Sequence, residues 1–317
     1  MKKIIEKYSF LIGLFILTII IYRLDFSALY FCFKKINYLP LIPAVFLTLP
    51  LIFIKSWRWN YLKKIQGINY SLIDSFLMYG IGMAIGSFTP GRLGEISKIG
   101  YLKNDGYSIG QSLVSVIIDR LSDLFFLITF GYFGIIFLFG FSEKITSVFS
   151  IIIFIIIILA FIVKKQFIRQ LIKKIFSILI PLRYQKTWKV NFQDLLNGIK
   201  KYRPKNYFYF FLITLFSWII YYIQIYFFAK STHLDIIPPI YLIITITVSS
   251  LITLLPLSFL GIGTRETTLI ILFSSFNINT ETIVLFSQLI LLDYLLIGII
   301  GAIFWKIKPL PLKQLFK

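Results

Sequence analysis

The stretch SLIDSFLMYGIGMAIGSFTPGRLGEISK, residues 71–98, decides how the chain is read. Its first part, Ser71 to Pro90, is apolar enough for lipid but carries Gly80, Gly82, Gly86 and Pro90; its last part brings Arg92, Glu95 and Lys98 close behind. On either side lie runs with almost no charge, Leu39–Ile54 before it and Leu124–Phe141 after it, and further out Phe10–Tyr22, Val148–Val163, Tyr207–Ala229, Pro239–Leu257 and Thr282–Trp305. Crossing the hydrocarbon core takes ~20 helical residues, and several runs reach or approach that length. In lipid each backbone N–H and C=O must find an internal partner, so such runs become helices.

Composition agrees. The chain is 58% hydrophobic and 15% charged, where soluble domains carry about 25% charged residues. Too little polar surface exists to cover it in water. The short alternating segments of a β-barrel are absent. The expectation is an all-α, polytopic membrane bundle with about seven or eight apolar segments. Lys2, Lys3 and Lys7 precede the first run as in a signal peptide, but no small-residue cleavage site follows Tyr22 and Arg23, so it is read as a retained helix.

Lys and Arg number 33 against 13 Asp and Glu. Twelve basic residues fall between Lys164 and Lys205, with Asp194 the only acid there, and Lys306, Lys308, Lys313 and Lys317 close the chain. Basic loops stay in the cytoplasm, which puts this segment and both termini inside. The excess charge is read as topology plus attraction to anionic lipid headgroups, and nucleic acid is excluded as a partner. Trp57, Arg58, Trp59, Lys63 and Lys64 read as anchors at the inner interface. Between that interface and the outward run at 112–140, residues 71–95 must enter and return on one side, as a broken or re-entrant helix.

The second half looks similar: 207–229 goes out, 239–257 comes in, a break follows at Gly261-Ile262-Gly263, the short run Thr267–Phe276 goes out and 283–305 returns. Two Gly-interrupted segments at matching places indicate an internal inverted repeat with a site at the breaks. The organisation is then a first membrane half (1–163), a basic cytoplasmic amphipathic segment (164–205, apolar stripe Trp188, Phe192, Leu195, Leu196) and a second half (206–317, break at 257–266).

Charges cluster near these breaks: Gly91, Arg92, Gly94, Glu95 and Lys98; Asp119, Arg120 and Asp123; Gly261, Gly263, Arg265 and Glu266. Asp119 and Asp123 are four apart and share a helix face. Ionisable side chains within a membrane are costly and usually functional. Arg binds phosphate through a planar fork, and a Gly-rich break lets backbone N–H groups approach an anion. All twelve residues are therefore candidates for binding a polar headgroup. A competing reading makes the charged ones a salt-bridge network that only locks helices together.

The blocks Pro90-Gly91-Arg92-Leu93-Gly94-Glu95, Asp119-Arg120-Leu121-Ser122-Asp123 and Gly261-Ile262-Gly263-Thr264-Arg265-Glu266 resemble the lysylphosphatidylglycerol synthase transmembrane, or flippase-like, family. The family's Glu-Arg pair stands here as Asp119-Arg120, and the usual Pro-Gly-Gly start of its second block is Ser258-Phe259-Leu260-Gly261. The resemblance implies movement of a phospholipid or lipid-linked headgroup across the cytoplasmic membrane. The synthase half of the longer members is missing, so the chain is read as a stand-alone member and lysyl transfer is not assigned.

One Cys, Cys32, permits no disulfide within the chain. One His, His233, lies in a loop, and no P-loop is present. The expectation is a translocase with no catalytic residues, metal, cofactor or ATPase of its own. The alternatives are an intramembrane enzyme of glycolipid or polyisoprenoid-linked sugar metabolism, with Glu95 or Asp119 as acid/base, and a scaffold whose partner is a glycosyltransferase or a second copy.

Overall fold

A computed structural model gives the fold of residues 33–140, 185–254, 258 and 260–309, with Ser27 and Tyr30. The runs Phe10–Tyr22 and Val148–Val163, the segment 164–184, Cys32 and the side chain of Trp188 lie outside the described residues. Among those described, every regular element is helical: α1 (Tyr38–Ile65), α2 (Leu72–Ser87), α3 (Lys98–Asn104), α4 (Ile109–Phe139), α5 (Gln185–Lys200), α6 (Pro204–Ser231), α7 (Pro239–Thr253), α8 (Thr264–Phe273) and α9 (Thr280–Ile307), with short turns at Pro90–Ser97 and Ser274–Phe276.

Helices α1, α4, α6 and α9 are long and apolar enough to cross a membrane. The 28 residues of α1 extend about 42 Å at 1.5 Å per residue. By the same rise the 16 residues of α2 and the 15 of α7 reach only about 24 Å, short of the ~30 Å core. Side-chain caps fix where helices start: Ser71 accepts from Asp74 N at 2.9 Å and Ser108 from Gln111 N at 3.2 Å.

Each short helix opens a hairpin. After α2 the chain turns and runs back beside it, with Gly86 against Glu95 and Gly82 against Lys98. The hairpin ends where it began: the Lys308 ammonium pairs with Asp74 at the start of α2, and the Lys308 carbonyl accepts from Tyr101 of α3 at 2.7 Å. In the second half α7 and α8 form the counterpart, closed at its base by the Tyr241 and Phe276 rings at 5.4 Å.

The two halves, each long helix–hairpin–long helix, are inverted. Helices α1 and α6 are antiparallel: Asn37 N donates to Ser231 O at one end (2.9 Å), and Tyr202 donates to Leu62 O at the other (3.1 Å). The hairpin arm of each half packs on the last long helix of the other, α2 on α9 and α7 on α4. This reciprocal packing is what an inverted repeat gives, with the two hairpins entering from opposite ends of the bundle.

Two expectations are corrected. The glycines of 71–87 do not break the helix; α2 is continuous through all three. Their role is close approach, since a Cβ on Gly80 would stand 2.5 Å from the Phe304 ring and one on Gly86 2.5 Å from Glu95 Cγ. The break comes later, at Thr89–Arg92. The anchor reading of 57–64 fits only the exposed Trp57 and Lys64; Trp59, Arg58 and Lys63 are fully buried in protein. In the amphipathic segment, Leu195 and Ile199 pack on Leu62, Val114, Tyr202 and Phe210, and Leu196 is buried.

Gly94 abuts backbone: a Cβ there would lie 2.5 Å from Ile85 O. Gly94→Ala is expected to pry the hairpin arms apart at a cost of about 1–3 kcal/mol. The thermal midpoint of the detergent-purified protein checks this, and an unchanged midpoint would refute the tight packing.

Candidate functional site

The i, i+4 spacing of Asp119 and Asp123 does put both on one face of α4, and that face meets α1. Arg58 Nε donates to Asp119 at 2.9 Å, while its two terminal nitrogens reach Asp123 at 2.9 and 3.0 Å. One turn earlier, Lys55 Nζ lies 3.2 Å from Asp123. From the first hairpin, Lys98 bridges Glu95 (3.2 Å) and Asp119 (3.3 Å). Arg120 reaches Glu95 at 2.6 Å and both aspartates at 3.2 Å. Tyr79 donates to Asp119 at 3.1 Å. Every carboxylate here touches at least two cations. Burying charge is tolerable only with this degree of pairing, yet the set holds four cations, Lys55, Arg58, Lys98 and Arg120, against three acids.

Beside the network lies a cavity of about 490 Å³ between the hairpin tips. Lys55, Arg92, Glu95, Arg120 and Asp123 line one side; Ser250, Thr253 and Gly261 of the second hairpin face them, with Tyr221, Asp293 and Tyr294 between. Leu51, Leu124 and Leu127 make the rest of the wall apolar. Leu93, Ile96, Ile117 and Leu121 also line it while remaining 42–62% exposed. The cavity therefore opens sideways, between the first turn and α4, through an apolar rim.

The turn presents Arg92 to this space. Gly91 (φ 60°) and Arg92 (φ 56°) are both left-handed, a conformation costing a side-chain-bearing residue about 1–2 kcal/mol. Thr89 holds it: its carbonyl accepts from Arg92 N at 3.0 Å and its hydroxyl from Gly94 N at 2.7 Å. Among the described residues Arg92 makes no ion pair; its guanidinium donates to Tyr294 Oη at 3.3 Å and lies 5.4 Å from that ring. Arg265 of the second hairpin lies 5.7 Å from the same ring. The two tips thus converge on Tyr294.

The second cluster is closed on itself. Glu266 accepts from Gly263 N at 2.7 Å, capping α8, and from Ser287 at 2.7 Å. Arg265 is 3.4 Å from Glu266 and donates to Ser287 at 2.7 Å. Gly261 (φ 77°) and Gly263 (φ 83°) supply the left-handed turns of this tip.

Of the twelve sequence candidates, Gly91, Arg92, Glu95, Arg120, Asp123 and Gly261 reach the cavity wall. Lys98 and Asp119 sit behind it, fully buried, and Gly94 serves the turn. Gly263, Arg265 and Glu266 build the second tip. Sequence reasoning missed Lys55, Arg58, Tyr294 and Asp293. A signal existed for the first pair, since cations at i, i+3 complement acids at i, i+4; Asp293 was the lone acid inside a run read as nearly uncharged.

The family described as the lysylphosphatidylglycerol synthase TM region matches residues 8–301, which takes in both halves, both hairpin tips and the ion network. The chain belongs to this family. It is a multi-pass membrane protein of a family named for membrane-lipid chemistry. The comparison with curated proteins finds no match.

Proposed function

We propose that the protein translocates a phospholipid or a lipid-linked headgroup across the cytoplasmic membrane without an ATPase of its own. The observation that carries this reading is Arg92: a guanidinium held by a strained turn, in no ion pair among the described residues, on the charged side of a mostly apolar cavity with an apolar side opening. A phosphate would sit on Arg92, with Lys55 and Arg120 adding positive field, while acyl chains pass over Leu93, Ile96, Ile117 and Leu121. Hairpins entering from opposite ends suit alternating access to one central site. Glu95 and Asp119 are each clamped by two or more cations, which favours transport over acid/base catalysis. In this reading both termini face the cytoplasm, and the basic stretch 164–205 rests on anionic headgroups.

The test is a headgroup-accessibility assay in reconstituted vesicles. Transbilayer movement that collapses in Arg92→Ala is the expected result. Chemical turnover of the lipid without movement would replace this reading with an enzyme. Neither, with a glycosyltransferase or a second copy co-purifying, would replace it with a scaffold.

A further inference from the structure

Asp293 is the acid of the cavity that the ion network leaves out. It lies midway along α9 and is 6% exposed. Its Oδ1 accepts from the Thr48 hydroxyl at 2.6 Å and from Gln224 Nε2 at 3.0 Å, and that amide is itself tied to Ala44 O at 3.0 Å. These donors are neutral. Glu95, Asp119 and Asp123 each touch at least two cations, whereas Asp293 makes no ion pair among the described residues. An unpaired carboxylate in a membrane interior is held only at several kcal/mol.

The groups around it come from every neighbouring element. Helix α1 offers Lys55, α4 offers Arg120 and Asp123, α6 offers Tyr221, the first turn offers Arg92 with Glu95, and α9 itself offers Tyr294. Arg265 and Glu266 lie beyond the Tyr294 ring. Lys55, Arg58, Lys98 and Arg120 pair with Glu95, Asp119 and Asp123 and leave that network one positive charge in excess. Outside those ion pairs the cavity wall carries one cation, Arg92, and one acid, Asp293.

We propose that Asp293 is a proton-binding site coupled to anion binding at Arg92. In the empty cavity its carboxylate balances the guanidinium. When a phosphate occupies Arg92 that balance is lost, and Asp293 takes one proton from water, becoming a carboxylic acid with no bond broken elsewhere. Coupling of this kind is reciprocal, so protonation tightens anion binding. A headgroup and a proton then move together, which gives the translocase a driving gradient. The inference rests on the headgroup reading of the site.

The experiment titrates dihexanoyl phosphatidylglycerol, whose phosphodiester keeps one charge across neutral pH, into the full-length protein in nanodiscs of zwitterionic lipid. Calorimetry in two buffers of different ionisation enthalpy counts protons. The expected result is uptake of about one proton per lipid bound, with affinity rising up to about tenfold per pH unit on acidification. Asp293→Asn is expected to bind lipid with no proton uptake and no pH slope. Lipid binding that Arg92→Ala abolishes, but that takes up no proton in the wild type, would overturn the coupling and leave the headgroup reading intact. The same proton uptake in Asp293→Asn would do likewise. No binding by the wild type would overturn both. The wild-type count alone decides the matter if the variant does not fold.

Discussion

Arg58→Met is expected to lower the melting temperature of the purified protein by roughly 10 °C, the largest stability effect of any single change in the bundle. Arg58 is fully buried and donates to Asp119, to both oxygens of Asp123, to the Asp119 carbonyl and to Thr214. One side chain thereby joins α1, α4 and α6. Met matches much of its volume but leaves two acids short of a partner, and removing one member of a buried ion cluster costs about 3–5 kcal/mol. Arg58→Lys should recover only part of this, because one ammonium cannot satisfy so many acceptors spread over a planar fork. Adding Asp119→Asn to Arg58→Met should restore some stability, since it removes a stranded charge. Size-exclusion monitored after graded heating reads all three proteins. A wild-type melting curve for Arg58→Met would mean that the ion cluster does not hold these helices together.

Arg92→Gly is expected to have the opposite signature: transport lost by roughly a hundredfold, stability kept or slightly raised. A charge-assisted contact with phosphate is worth about 1.5–3 kcal/mol, which spans about ten- to 150-fold. Against that, among the described residues Arg92 has only Tyr294 as a hydrogen-bonding side-chain partner, and its left-handed backbone suits glycine better than any other residue. A residue kept in a strained conformation with little structural return fits the proposed ligand role. Headgroup accessibility per protein copy and the melting curve, measured on the same preparation, check both halves of the statement. Normal transport with a lowered melting point would make Arg92 a strut instead.

Much of this architecture could be read from the chain. The hydropathy runs mark the four long helices α1, α4, α6 and α9, and the Gly-interrupted segments lie at the two hairpins, although 239–257, read as a crossing, is the short arm α7. Helix periodicity alone puts Asp119 and Asp123 on one face. Their partners were harder, because pairing Lys55 and Arg58 with them is a tertiary fact between residues more than sixty positions apart. The basic-aromatic pattern at 57–64 suits a lipid interface as well as a buried cluster, and only packing decides. Glycine carried a similar ambiguity. Gly80, Gly82 and Gly86 admit neighbouring side chains to a regular helix, while Gly91, Gly261 and Gly263 turn the chain; one residue type serves both needs. Arg265 and Glu266 looked like the twin of the first cluster, yet they are consumed in building their own loop. Asp293 carried no pattern beyond its solitude.

The exchange of arms between the halves bears on how the protein is made. Helix α2 finds its main support on α9, where Gly301 and Phe304 lie against Ala84 and Gly80. That surface leaves the ribosome about 200 residues after the first hairpin is complete, a wait of roughly 10–40 s at 5–20 residues per second. Until then the newborn hairpin, with Glu95, Arg92 and Lys98, has no finished seat in the bilayer. An N-terminal portion that lacks α9 would leave this face of the first hairpin uncovered, so the first half completes its packing only when the last helix arrives.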